Sequence, residues 1–232
     1  MRGCVVTLLF LHGAGFTGEV FAELRAAFPG SHAPDLPGHL REGEPASIAE
    51  FASFTAEYAR EQALADVVLC GHSMGGAIAM ETALSHGLPL RGLVLLGSGA
   101  RLRVAPAFLA GIETDFPATA RTIAGYFFAE STPERVEWAA QSMERVGQAQ
   151  TLRDFRACDA FDAFDRLGGI SVPALALTGE ADRMTPPKYA QALADRVPAG
   201  QARRVTGAGH LLMVERPGET IAEIRTFLSG LP

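Results

Sequence analysis

Lysine is almost missing from this sequence. Lys188 stands alone beside nineteen arginines, and with 26 acidic residues the formal net charge is −6. Without a basic block the chain lacks the electrostatic footprint of a nucleic-acid binder. Exposed arginine and lysine do similar work, so the bias itself points to no function. Cysteine is scarce too, with Cys4, Cys70 and Cys158 only. An odd number without short regular spacing argues against a disulfide framework or a zinc site. It fits thiols kept reduced, hence a cytoplasmic setting. Cys70 lies in an apolar run and reads as a buried thiol. No apolar run reaches the roughly 18–20 residues that cross a bilayer, so no membrane partner is expected. The stretch from Arg2 to Leu11 resembles a short signal peptide. No small-residue cleavage site follows it closely, and removing it would strip a segment that reads as a core strand.

What is present is a globular composition. The 232 residues are 48% hydrophobic and 20% charged, which suits one domain burying roughly 70–75% of its unfolded surface. Short apolar runs recur at Val5–Leu11, weakly near Ser31–Pro34, then at Val67–Cys70, Leu93–Leu96, Ala174–Thr178 and Ala202–Thr206. Runs of this length and kind read as strands buried on both faces, hence a parallel sheet. Helical spacing separates most of them: Val20, Phe21, Leu24 and Phe28; Ile48, Phe51, Phe54, Thr55 and Tyr58; Met74–Ser85; Tyr189, Leu193 and Val197; Ile221, Ile224, Phe227 and Leu228. The alternation predicts an α/β fold, a doubly wound, mostly parallel sheet of about six strands.

From about Arg101 to Gly168 the alternation stops and only helical pattern remains. Thr132-Pro133-Glu134 is a helix start, with Val136, Ala140, Met143 and Val146 sharing one face. Leu152, Phe155, Phe161 and Phe164 suggest a further helix. This stretch reads as a helical insertion between two strands, rich in aromatics.

The strongest motif is Gly71-His72-Ser73-Met74-Gly75-Gly76. It follows a strand and opens a helix, the setting of a G-x-S-x-G nucleophile elbow. A serine at its ordinary pKa is a weak nucleophile and needs a base, which needs an orienting carboxylate. Gly179-Glu180-Ala181-Asp182 follows the Ala174–Thr178 run, and Gly207-Ala208-Gly209-His210 follows Ala202–Thr206. Both fall at carboxyl ends of strands, where open α/β sheets place their sites. Ser73, Asp182 and His210 are therefore the candidate nucleophile, orienting acid and base. Glu180 is the competing acid, and Asp182 is preferred because it lies further into its loop. His72 is expected to point away from Ser73, as adjacent residues on a turn do. His12, His32, His39 and His86 read as turn residues or exposed helix ends. A tetrahedral intermediate needs two backbone donors: the N–H of Met74, after the nucleophile, and that of Ala14, in the loop His12-Gly13-Ala14-Gly15. None of this chemistry calls for a metal or a cofactor.

A different class competes. Gly13-Ala14-Gly15-Phe16-Thr17-Gly18 is a G-x-G-x-x-G after a strand, and Asp35 follows near the spacing of a ribose-binding acid. Alone it would suggest a dinucleotide-binding oxidoreductase, but it leaves the elbow, Asp182 and His210 without a part.

Taken as a set, Leu11-His12-Gly13, Pro34-Asp35-Leu36-Pro37-Gly38-His39, the Gly71–Gly76 elbow, Val172-Pro173-Ala174-Leu175 with Gly179–Asp182, and Gly209-His210 with Glu215-Arg216-Pro217 resemble the α/β-hydrolase superfamily. The likeness is to its small esterases, enol-lactonases, carbon–carbon bond hydrolases and cofactor-free perhydrolases, and it spans nearly the whole chain. It implies one domain over 1–232, with a core of 1–100 and 169–232 and a helical cap at 101–168. It also implies a sheet without the usual N-terminal hairpin, because only eleven residues precede His12. Leu40 stands where that family usually has glycine, and Ser73 separates the chain from branches that attack with aspartate. The function expected is cleavage of small-molecule carboxylic esters with small to medium apolar acyl groups. Lactone or carbon–carbon bond hydrolysis is the nearest alternative, and a ligand-sensing receptor of the same fold is another.

Overall fold

The structure is a computed structural model, and residues 6–232 are described. Five parallel strands form one sheet in the order β1 (Thr7–Leu11), β2 (Val67–His72), β3 (Leu90–Leu96), β4 (Ala174–Gly179) and β5 (Gly200–Val205). Alternate residues feed two cores. Leu8, Phe10, Val68, Cys70, Val94, Leu96, Leu175 and Leu177 face one side; Leu9, Leu11, Leu69, Leu93, Leu95 and Ala176 face the other. Burial on both faces is why these strands read as unbroken apolar runs. The first side is covered by α1 (Ala22–Ala27) through Leu24 and by Ile224 and Phe227 of the C-terminal helix. The second is covered by α2 (Ile48–Glu61), α3 (Met74–Ser85) and a helix at Pro187–Arg196.

The expected sixth strand is reduced to a single bridge. His32 pairs with Leu9 beyond the β1 edge, through His32 N–H to Leu8 O and Phe10 N–H to His32 O. Pro34 follows two residues on and has no N–H with which to extend a ladder. The chain thus leaves β1 toward one side and returns across it to β2. The crevice at the carboxyl ends of β1 and β2 is the switch point of the sheet. The last strand also differs from its reading. It starts at Gly200, and Gln201, Arg203 and Arg204 are exposed because β5 is an edge. Val5 and Cys4 lie outside the described residues, whereas Cys70 and Cys158 are free and buried.

Between β3 and β4 run four helices, α4 (Pro106–Thr114), α5 (Phe116–Ala124), α6 (Pro133–Val146) and α7 (Gln148–Ala160). Thr132 caps α6 as its sequence predicts, its side chain accepting the Arg135 N–H. Helix α7 ends sooner than read: Phe161 is extended at its C-cap, and Phe164 lies beyond, under the guanidiniums of Arg101 and Arg196. After β4 come α8 (Pro187–Arg196), then α9 (Leu212–Glu215) and α10 (Pro217–Ser229) following β5. No helix among the described residues is long and apolar enough to cross a membrane.

Candidate active site

Ser73 sits between β2 and α3 with φ 52° and ψ −114°. A non-glycine residue in such a conformation costs about 1–3 kcal/mol and persists only where its surroundings impose it. Here the glycines impose it. A side chain on Gly71 would overlap the Gly75 carbonyl, one on Gly75 would overlap the Leu11 carbonyl, and one on Gly76 would strike Ser98. The turn is pinned further by Ser73 N–H to Leu96 O at 2.9 Å and by Ser98 Oγ to Ser73 O at 2.8 Å.

His210 and Asp182 meet at the ends of β5 and β4. His210 Nδ1 lies 2.9 Å from Asp182 Oδ2, and both side chains are buried. Asp182 also accepts the N–H groups of Met184 and Thr185 on Oδ1, each at 2.8 Å, and the Thr185 hydroxyl on Oδ2 at 2.8 Å. Burial alone would raise the Asp182 pKa; the His210 charge and these hydrogen bonds outweigh it and hold the carboxyl below the usual range. Glu180 is exposed. The His210 loop is held to the insertion, since His210 N–H donates to Phe127 O at 2.7 Å and the Phe127 ring stacks on the imidazole at 5.8 Å. Glu215 completes that tie, accepting the Gly209 N–H at 2.6 Å and the Ala129 N–H at 2.9 Å.

Ser73, His210 and Ala14 line one cavity of about 290 Å³. The insertion supplies Phe108, Tyr126, Phe127, Phe155 and Cys158 to its wall, the core Phe16 and Tyr189, and Arg103 and Arg183 reach it. Four of the insertion's aromatics thus face the cavity. Phe116, Phe128, Phe161 and Phe164 do not line it, and neither does the half-exposed Trp138. The structure therefore brings Ser73, Asp182, His210 and Ala14 together, with Met74 the first residue of α3. Among the described residues no group of three or more His, Cys, Asp or Glu side chains is arranged to hold a metal ion.

Three further histidines are buried around the site. The His72 ring packs 4.7 Å from that of His210, and its Nε2 meets the His210 carbonyl at 3.1 Å. Burial, and then the His210 charge, push its pKa down to about 3, so it stays neutral. His12 and His39 occupy turns as read, but both are fully buried. His12 Nε2 accepts the Leu36 N–H at 3.0 Å, and burial followed by His39 holds its pKa well below the ordinary value. His39 Nε2 lies 2.7 Å from Asp154 Oδ2 on α7. Burial depresses the His39 pKa, but Asp154 outweighs burial and leaves it raised. The glycine-rich loop also finds its explanation here. Gly18 N–H donates to Asp35 Oδ1 at 2.8 Å, and Gly18 packs against the Ala33 carbonyl. The acid that mimics a ribose ligand is thus spent on the chain's own backbone.

The model of the alpha/beta hydrolase family matches residues 8–224. The chain belongs to that family. It is 27% identical to a pimeloyl-[acyl-carrier protein] methyl ester esterase of Vibrio vulnificus (strain YJ016), over 95% of this chain and 93% of that protein. The structure of a thermophilic esterase superposes with a TM-score of 0.87 at 30% identity, covering 97% of this chain and 91% of its own. Est816, described as an N-acyl homoserine lactone degrading enzyme, superposes at 0.83 with 28% identity, over 96% of this chain and 93% of its own. The family and these relatives support a hydrolase, and esterases are prominent among its neighbours. Thr185, Glu215 and His72 hold or border the site, and the His39–Asp154 pair is tied to the loop after β1 through Gly15; sequence reasoning gave none of them a part.

Proposed function

We propose that this chain is a serine hydrolase that cleaves carboxylic esters of small to medium apolar acyl groups through an acyl-enzyme on Ser73. One observation carries the reading: a strained Ser73 and an Asp182-bonded His210 face the same apolar-walled cavity. In this mechanism His210 Nε2 takes the Ser73 hydroxyl proton as Oγ bonds the ester carbonyl carbon. The carbonyl electron pair moves to oxygen, where the N–H groups of Met74 and Ala14 hold it. Collapse expels the alkoxide, which takes the proton from His210. Water then repeats the sequence and releases the acid and Ser73. Asp182 fixes the imidazole by its Nδ1 and stabilises the imidazolium. Helices α4–α7 act as a cap whose aromatics select the acyl group.

A nitrophenyl ester series of increasing acyl length tests this. Each methylene that finds wall should add up to about 0.8 kcal/mol, so kcat/KM should rise and then fall as the cavity fills. No turnover on any member would overturn the reading. The likeness to a lactone-degrading enzyme favours one second reading, ring-opening of an acylated lactone by the same residues. Higher kcat/KM on such a lactone than on every linear ester would select it.

A further inference from the structure

The proposed mechanism leaves one buried Asp–His pair without a part. Asp154, on α7, and His39 are both fully buried, with Oδ2 and Nε2 2.7 Å apart. The same Oδ2 accepts the Gly15 N–H at 3.0 Å, while Oδ1 accepts Gln150 Nε2 at 2.7 Å. One carboxylate therefore joins an insertion helix, the loop after β1 and the Pro37–His39 turn. Both loops meet the insertion at a glycine of positive φ: Gly15 (71°) beneath Met143 of α6, and Gly38 (84°) beneath Gln150 of α7. Burying a carboxylate is costly even when it is paired, and an apolar contact would hold a helix to the core at least as well. The charge calls for a reason beyond packing.

That reason lies one residue away. Ala14 carries the second oxyanion donor in the reading above, and the peptide units on either side of it are held differently. The Gly13 carbonyl, which shares a plane with the Ala14 N–H, lies 3.0 Å from His12 Nδ1 and accepts the Phe16 N–H at 3.3 Å. The following plane, from the Ala14 carbonyl to the Gly15 N–H, is held by Asp154. We propose that Asp154 is a positioning residue for the oxyanion hole, setting the Ala14 donor when the insertion is seated on the core. This rests on the serine-hydrolase reading.

Loss of an oxyanion donor costs about 100- to 1,000-fold in rate, and a misaimed donor costs part of that. Asp154→Asn keeps shape and one weaker acceptor. Its kcat should fall about 10-fold with KM within about twofold, and Asp154→Leu, which removes the acceptor, should fall about 100-fold. Affinity for a boronic acid that forms a tetrahedral adduct should fall by the same factors, whereas affinity for an ether analogue without a carbonyl should not change. If Asp154→Leu does not fold, the Asn variant alone decides. Variants that lose Tm but keep wild-type kcat and boronate affinity would overturn the proposal, leaving Asp154 a structural tie. A fluorophosphonate applied to the wild type separates the two ideas. Label on Ser73 beside unaltered Asp154 variants defeats only the positioning role, whereas no label on Ser73 defeats the reading beneath it.

Discussion

Two buried Asp–His pairs lie in this protein with nearly the same bond length, 2.9 Å for Asp182–His210 and 2.7 Å for Asp154–His39. They differ in what remains of the imidazole. His39 uses both ring nitrogens, Nε2 on Asp154 and Nδ1 on the Pro37 carbonyl. His210 meets Asp182 and Thr185 through Nδ1 alone, and its ring borders the cavity. A base needs an unspent nitrogen beside a reacting group. An imidazole bonded at both ends can only hold things in place. Burial and pairing are thus common to both, and the second nitrogen separates chemistry from architecture.

The sharpest way to break the comparison is to remove the charge of Asp182 and, as a control, that of its exposed neighbour Glu180. Asp182→Asn should leave the fold intact and lower kcat by about 10³- to 10⁴-fold, because the imidazole loses its tautomer and its counter-charge. Glu180→Gln, on an exposed neighbour, should stay within about twofold. Equal losses in the two variants, measured on one nitrophenyl ester, would place the orienting acid elsewhere.

His39 itself, as distinct from its partner Asp154, should show its charge chiefly in stability. Its folded pKa is raised above the unfolded value of about 6.5. That contribution is fully present below about pH 6.5 and is lost as pH rises through the raised value. His12 and His72 have depressed folded pKa values and act with the opposite sign, their contributions fading as pH falls below about 6.5. The Tm gap between wild type and His39→Gln should therefore narrow between about pH 6 and pH 9. A gap that widens with rising pH would mean that His39 folds as the neutral ring.

What could be read in advance follows the range of the interactions. The elbow was legible because its residue types fall within six positions between a strand and a helix, and Gly71 packs on the Gly75 carbonyl inside that span. Asp182 and His210 were legible because strand order alone carries their loops to one edge. The His39–Asp154 bond joins residues 115 apart, and no local pattern marks either partner. The G-x-G-x-x-G loop resembles a phosphate-binding loop because its glycines answer to close packing, Gly13 against His72 and Ser73, Gly15 beneath Met143 and Gly18 against the Ala33 carbonyl. The bridge at His32 and the exposed face of β5 were misread because a sheet edge is a tertiary property. Leu40 shows the opposite case, a departure visible in sequence with a structural cost. It holds φ 57° with its side chain 63% exposed, in a conformation that costs a leucine about 1–2 kcal/mol.

The smallest effect expected follows from that residue. Leu40→Gly relieves the strain but widens the freedom of the unfolded chain, so the net gain should be about 1 kcal/mol or less, with kcat unchanged. A Tm lower than wild type would show that Leu40 makes a contact that outweighs its backbone cost.

The central claim is that Ser73 is the nucleophile and that His210, not His39 or His72, activates it. Stoichiometric reaction with a fluorophosphonate, followed by peptide mass mapping, tests it most directly. The account predicts one adduct per chain, on Ser73, formed at nearly the wild-type rate in His39→Gln and lost in His210→Ala. An adduct on another residue, or undiminished labelling of Ser73 in His210→Ala, would contradict it.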